Sequence, residues 1–362
     1  MSGPALAVVG FGVMLVLMAL RAPVGLAMLV TGAGGYVAIV GWLPFLAYVK
    51  STPYYLFSNY TLSVIPLFIL MGAFAERAGM STALFAAANA LVGHIRGGIA
   101  IATIGACTVF GAICGSSVAT TAAMGRAALP ELKRYRYADG LATGTIAAGG
   151  TLGILVPPSV ILVVYAITTE QNIARLFMAA LVPGLIAAAF YTLAILVLTR
   201  LDPAAGPAHP RGVQGSRRRA VLRVWPILLI ATLVIGGLYG GVFTPTESAA
   251  VGATATLLMG LADRSLDLRR IGEALLQTAE TSAMIFLVIL GAEIFNAFLA
   301  LTQLPLMIAT WVTESGLEPY GILVLLLAVY IVLGGVMDEL AMLLLTLPIF
   351  FPVVMALDFG LD

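Results

Sequence analysis

The 362-residue chain sets 18 Lys and Arg against 17 Asp and Glu for a net charge of +1, with 61% of its residues hydrophobic and 10% charged. At a mean hydropathy of +1.08 it lacks the charged surface that a soluble domain of this size needs. It also has no basic field for nucleic acid. Long apolar runs recur from end to end, so the chain reads as a polytopic, all-α integral membrane protein.

The first run, MSGPALAVVGFGVMLVLMAL, has no charged n-region, and the first basic residue, Arg21, comes after it. That predicts a retained span rather than a cleaved signal peptide. Spans are expected near 5–20 and 23–41, then a Tyr-rich arm (43–61, with Lys50) and a span near 62–76 ending at Arg77. A short amphipathic stretch (80–94) follows, then Arg96, an apolar stretch (97–130) and the basic ELKRYRY (131–137). Beyond it lie an interrupted segment (138–168), a span (174–199), a polar loop (200–223) with six arginines and spans at 225–243 and 248–262. RSLDLRR (264–270), within an amphipathic stretch at 263–281, precedes a span at 283–300 and an apolar remainder.

If the six-arginine loop is cytoplasmic, Arg21, Arg77, Arg96, Lys133 to Arg136 and Arg264 to Arg270 share its side, provided that 97–130 enters and leaves from one face. The N-terminus then faces outward. No Lys or Arg follows Arg270, and Glu314, Glu318, Asp358 and Asp362 mark the final loops as outward.

Stretch 97–130 holds a small, polar centre from Cys114 to Thr121, and the part after Gly115-Ser116-Ser117 is short for a span. A re-entrant hairpin with its tip at those three residues is expected. In 138–168 the run GGTLGILVPPS puts Gly149, Gly150, Gly153, Pro157 and Pro158 within ten residues. Pro158 donates no backbone hydrogen bond and biases Pro157 away from the helical region. The five are expected to unwind the span at mid-membrane. Unpaired backbone is tolerated there only where it is buried in protein or lines a cavity.

The halves are related. IPLFILMGAF (65–74) matches MIFLVILGAEIF (284–295), FGAICGSSVA (110–119) parallels LGGVMDELA (333–341), and Asp139-Gly140 falls opposite Phe359-Gly360, all offset by about 220 residues. This predicts inverted repeats at about 1–200 and 225–362, and a second hairpin tip at Gly334-Gly335 to Asp338. The same offset carries Pro157-Pro158 to about position 377, past Asp362. The expectation is therefore a second repeat incomplete at its C-terminus by about 65–75 residues.

GTLGILVPPS, FGAICGSSVATTAAMG, PLFILMGAFAERAG, TPTESAAVGA and LGGVMDELAMLLLTLPIFFPV together resemble the large membrane subunit of tripartite ATP-independent periplasmic (TRAP) transporters, of the dicarboxylate-transport M type. The resemblance covers essentially the whole chain. It implies an inverted-repeat, elevator-type transporter of organic acid anions in the bacterial inner membrane, driven by Na⁺ and needing no other cofactor. It also implies two protein partners: a small four-helix membrane subunit and a periplasmic substrate-binding protein that delivers the ligand. The family's second interrupted helix has no counterpart here. A dicarboxylate/Na⁺ symporter of a related elevator family, working without a binding protein, is the alternative.

Freed carbonyls and hydroxyls suit a dehydrated Na⁺, and exposed half-helix N-termini suit a carboxylate. Candidate substrate or Na⁺ ligands are Gly115, Ser116, Ser117, Thr120, Thr121, Gly149, Gly150, Thr151, Pro157, Pro158, Ser159, Gly334, Gly335 and Asp338. Na⁺ is expected near Ser116, Ser117, Gly150, Thr151 and Gly335. Small residues also let helices approach closely, and Asp338, an intramembrane carboxylate, serves equally well as a helix cap. Thr244-Pro245-Thr246-Glu247 reads as a capping box, Arg126 as a cytoplasmic-interface anchor, and Cys107 and Cys114 as packing residues. An intramembrane protease is disfavoured: His94 has no reason to meet Ser116, and Asp338 has only Glu339 beside it. The expected division sets a scaffold (5–41, 174–199, 225–262) against a moving part (97–168 and 320–362), with arms at 43–61, 80–94 and 263–281.

Overall fold

The computed structural model describes residues 3–208, 217–314, 318–335 and 337–357. Asp358, Phe359-Gly360 and Asp362, which enter the charge and repeat readings, and His209 lie outside the described residues. Among the described residues every regular element is helical. The order is α1 (Gly3–Ala19), α2 (Val24–Val40), α3 (Trp42–Phe57), a 3₁₀ turn (Tyr60–Ser63), α4 (Val64–Arg77), α5 (Met80–Val92), α6 (Gly98–Cys114), α7 (Ser117–Arg134), α8 (Asp139–Leu155) and α9 (Val160–Thr168). Then come α10 (Ile173–Leu201), α11 (Arg217–Leu222), α12 (Trp225–Tyr239), α13 (Pro245–Ala262), α14 (Leu268–Thr302), α15 (Leu304–Glu314), α16 (Pro319–Gly334) and α17 (Glu339–Ala356). Among the described residues, four helices are long and apolar enough to cross a membrane, five if the bent pair α8–α9 counts as one span.

The amphipathic stretch 263–281 and the span 283–300 were expected as separate elements. They run on as the single 35-residue helix α14. No proline interrupts them, and the composition changes from charged to apolar without a backbone reason to stop.

The chain divides into two compact units, Met1–Tyr60 with Ser282–Asp362, and Thr61–Thr281. In the first, α2 presents small residues to the second half of α14. Ideal Cβ atoms on Gly25 and Gly32 would fall 2.8 Å from Leu287 O and 2.7 Å from the Phe295 backbone, and one on Gly291 2.2 Å from Gly25 O. Backbones this close depend on having no side chain there. Phe11 and Phe295 meet edge-on at 5.3 Å, and Tyr36 stacks on Tyr48 at 5.3 Å. In the same unit α16 and α17 form a helical pair joined by a hydrogen bond between Tyr330 OH and Thr346 Oγ1 of 2.8 Å.

In the second unit α4 packs on α13, and α6, α7 and α8 pack on one another. Phe68, Phe110 and Phe177 are fully buried. The expected capping box is present: Thr244 Oγ1 accepts from Glu247 N at 3.3 Å, and Glu247 Oε2 accepts from Thr244 N at 2.8 Å. Hydrogen bonds to the Glu247 carboxyl from the Thr244 backbone N–H, and after it from the Thr244 side chain, hold it below the usual range. After α10 the chain doubles back, so that Gly206 O accepts from Gly97 N and Ala205 O from Ala138 N, each at 3.0 Å. The start of the arginine loop thus straps the turns that lead into α6 and α8.

Candidate functional site

Two helix breaks lie side by side in the second unit. The first separates α6 from α7. Gly115 turns there with φ 63°, in the left-handed region where a side chain is strained, and Ser116 is extended. Ser116 Oγ caps α7 by accepting from Ala119 N at 3.4 Å. This is the expected hairpin tip at Gly115-Ser116-Ser117.

The second break separates α8 from α9, whose axes bend by 42°. Val156 is extended, the Pro157-Pro158 peptide is cis, and Ser159 is extended and caps α9 through Leu162 N at 3.5 Å. The breaks are bonded to each other, since Gly115 O accepts from Val160 N at 3.3 Å. Because Pro157 and Pro158 have no N–H, the carbonyls of Gly153 and Ile154 have no helical donor.

The glycines of α8 do something other than expected. Gly149, Gly150 and Gly153 stay inside the regular helix, and unwinding is confined to residues 156–159. Their missing side chains let α8 close on its neighbours. A Cβ on Gly150 would lie 1.7 Å from Thr121 Oγ1, one on Gly153 2.5 Å from Thr120 Oγ1 and 2.6 Å from Ser116 O, and one on Gly149 2.7 Å from Cys107 Sγ. The prolines alone break the helix; the glycines seat it. Cys107 and Cys114 are buried and free, consistent with packing.

This packing gathers Gly115, Ser116, Ser117, Thr120, Thr121, Gly150, Gly153 and Pro158 around one contact. Thr121 Oγ1 donates back to Ser117 O at 2.8 Å. Thr120 Oγ1 is fully buried and has no oxygen or nitrogen partner among the described residues; the polar group beside it is the Cys114 thiol. Thr151 is turned away. Its hydroxyl donates to Ala148 O at 2.7 Å and meets Tyr191 OH of α10 at 3.1 Å, so it does not join the α7 contact.

The break between α16 and α17 belongs to the other unit. Gly335 keeps helical angles (φ −75°), so its special freedom is unused. Asp338 caps α17, its Oδ2 accepting from Leu340 N at 3.2 Å and from Ala341 N at 3.4 Å. Arg126, expected as an interface anchor, forms an ion pair with Glu76 of α4. The next residue on α4, Arg77, pairs with Glu273 of α14 and donates to Gln277 Oε1 at 3.1 Å. Neither acidic partner was legible, because nothing in the sequence sets 76 beside 126 or 77 beside 273.

Comparison with known proteins gives this geometry a family. The model of the tripartite ATP-independent periplasmic transporter DctM component matches residues 11–361. The C4-dicarboxylate TRAP transporter large permease protein DctM of Pseudomonas aeruginosa is 40% identical over 307 residues, which cover 84% of this chain and 70% of that protein. The sialic acid TRAP transporter large permease protein SiaM of Vibrio cholerae is 32% identical, covering 84% and 70%. Among solved structures, the crystal structure of the Alcanivorax borkumensis YdaH transporter superposes with a TM-score of 0.58 at 15% identity, covering 87% of this chain and 74% of that one, a likeness of fold. The chain therefore belongs to the DctM family: it is a multi-pass membrane permease, the large subunit of a TRAP transporter, and not an enzyme.

Proposed function

We propose that this subunit carries an organic acid anion across the bacterial inner membrane together with Na⁺. A periplasmic binding protein delivers the anion, and a small four-helix membrane subunit completes the assembly. The single observation that carries the reading is the pair of bonded helix breaks, with two proline-freed carbonyls and a buried threonine hydroxyl that lacks an oxygen or nitrogen partner at their contact. Hard oxygen donors without hydrogen-bond partners suit a dehydrated alkali cation. The starts of α7 and α9, each capped by a serine, offer N–H groups and a positive dipole end to a carboxylate. Na⁺ at the freed carbonyls offsets their negative potential and raises affinity for the anion, and linkage makes the effect mutual.

A C4-dicarboxylate is the substrate class favoured by the 40% relative, against 32% for the one named for sialic acid. In the moving part we place α6 to α9, joined by α10, which the sequence alone assigned to the scaffold. α10 packs along α6, α8 and α9 and bonds Thr151 through Tyr191. The test is uptake of labelled succinate into proteoliposomes holding this subunit and the small membrane subunit, with and without the binding protein, at graded Na⁺. Ser116→Ala and Pro158→Ala are expected to lower uptake and shift its Na⁺ dependence. Wild-type uptake with unchanged Na⁺ dependence in both variants refutes the site, and full uptake without a binding protein favours the symporter alternative.

A further inference from the structure

α12 and α13 flank an open cleft of about 320 Å³ that neither the transport site nor the ion pairs use. Its walls are Leu229, Ile230 and Leu233 of α12 and Ala255, Leu258 and Met259 of α13, closing at Ala262, and they are almost wholly apolar. We propose that this cleft holds an acyl chain of an anionic phospholipid from the cytoplasmic leaflet.

Depth is the first argument. The two helices are antiparallel neighbours, and the cleft lies where α12 begins and α13 ends. Leu233 is eight residues into α12 and Ala255 seven from the end of α13, so the cleft reaches about 12 Å from the helix ends. That is most of one leaflet's share of a hydrocarbon core about 30 Å thick.

The mouth is the second. Arg223 lies two residues before α12 and Arg264 two after α13, both exposed, with Asp263 the neighbouring carboxylate and Trp225 exposed between helix and loop. Neither guanidinium forms an ion pair among the described residues. The positive-inside orientation puts this end at the cytoplasmic face, where anionic lipids are enriched and basic clefts between helices take their headgroups.

Size is the third. A single hydrocarbon chain is thin enough to enter.

The experiment uses the full chain carrying Trp42→Phe and Trp311→Phe, reconstituted in dioleoylphosphatidylcholine vesicles. Trp225 fluorescence is quenched by brominated dioleoylphosphatidylglycerol or brominated dioleoylphosphatidylcholine at matched fractions. The phosphatidylglycerol is expected to compete about tenfold better at this position, from the two arginines offset by Asp263. The double variant Arg223→Gln/Arg264→Gln is expected to bring that preference close to one, and Ala255→Phe, which fills the cleft, to remove the preferential quenching. Equal quenching by the two lipids in the unsubstituted cleft overturns the proposal. So does Ala255→Phe leaving the preference intact, or blocking co-purification of the small membrane subunit while phosphatidylglycerol quenching persists, which marks a protein seat.

Discussion

Gly153→Ala separates a seating glycine from a flexible one. The added methyl would stand 2.6 Å from the Ser116 carbonyl oxygen and 2.5 Å from Thr120 Oγ1. Ordinary contact begins at 3.4 Å, so the hairpin tip must back away from α8 by about 1 Å. Overpacking of this kind costs about 1–3 kcal/mol, and the helix propensity gained on replacing Gly returns about 1 kcal/mol. The net expectation is a loss of up to about 2 kcal/mol. Gly144→Ala is the control, because it lies on the same helix with nothing within 4 Å of its Cβ position. It collects the propensity gain alone, up to about 1 kcal/mol. Reversible unfolding of the purified subunit in mixed micelles reads the difference, about 1–3 kcal/mol between the two variants. Uptake is the companion assay, and Gly153→Ala is expected to lose it at least tenfold while Gly144→Ala keeps it. Adding Thr120→Ala to Gly153→Ala relieves the hydroxyl contact but not the carbonyl one, so rescue should be partial. Equal stability of the two alanine variants with wild-type uptake in both would refute the claim that Gly153 sets the distance between the breaks.

Thr120→Val replaces a buried hydroxyl that lacks an oxygen or nitrogen partner, so stability in micelles should rise by about 1–3 kcal/mol, the cost of leaving such a group unpaired. Na⁺-dependent uptake should fall, and a variant that is both less stable and fully active contradicts the assignment. Thr244→Ala should destabilise the subunit by about 1 kcal/mol through loss of the α13 cap. Because the folded state holds the Glu247 carboxyl below its ordinary range, the stabilisation is present above about pH 4.3 and is lost as pH falls through the lower folded value. An acid titration of melting temperature should therefore lose part of its slope in Glu247→Gln, and an unchanged profile would count against the box.

What the sequence made legible was punctuation. Gly115-Ser116 and Pro157-Pro158 stop helices for reasons internal to the chain, a left-handed turn and missing donors, so both breaks fall where expected. For Asp338 the sequence left a cap and a ligand equally open, and the side chain caps α17. The role of a glycine inside α8 is not local. A missing side chain permits unwinding and close packing alike, and only Thr120, Thr121 and Ser116 on the neighbouring helix decide between them. Thr120 and Thr151 illustrate the limit equally well: both are threonines near a break, yet one is sealed against α8 and the other bonds Tyr191 of α10. The length of α14 was hidden for a different reason, since a change of composition without a breaker ends no helix.

The bond from Val160 N to Gly115 O makes the two breaks one unit, and that is testable at their caps. Ser116 holds the start of α7 and Ser159 the start of α9, each by one side-chain bond to a backbone N–H. Taken separately, Ser116→Ala and Ser159→Ala should each cost about 0.5–2 kcal/mol. Were the caps independent, the double variant would cost their sum to within about 0.5 kcal/mol. They are not expected to be independent. Loosening α7 frees the carbonyl that pairs with α9, and loosening α9 withdraws the donor from that carbonyl, so the first substitution already forfeits part of what the second would remove. The double-mutant cycle should therefore show the two losses overlapping by about 0.5 kcal/mol or more, read by unfolding in micelles. Strict additivity would mean that the Gly115–Val160 bond carries no load, and the two breaks would then have to be treated as separate sites.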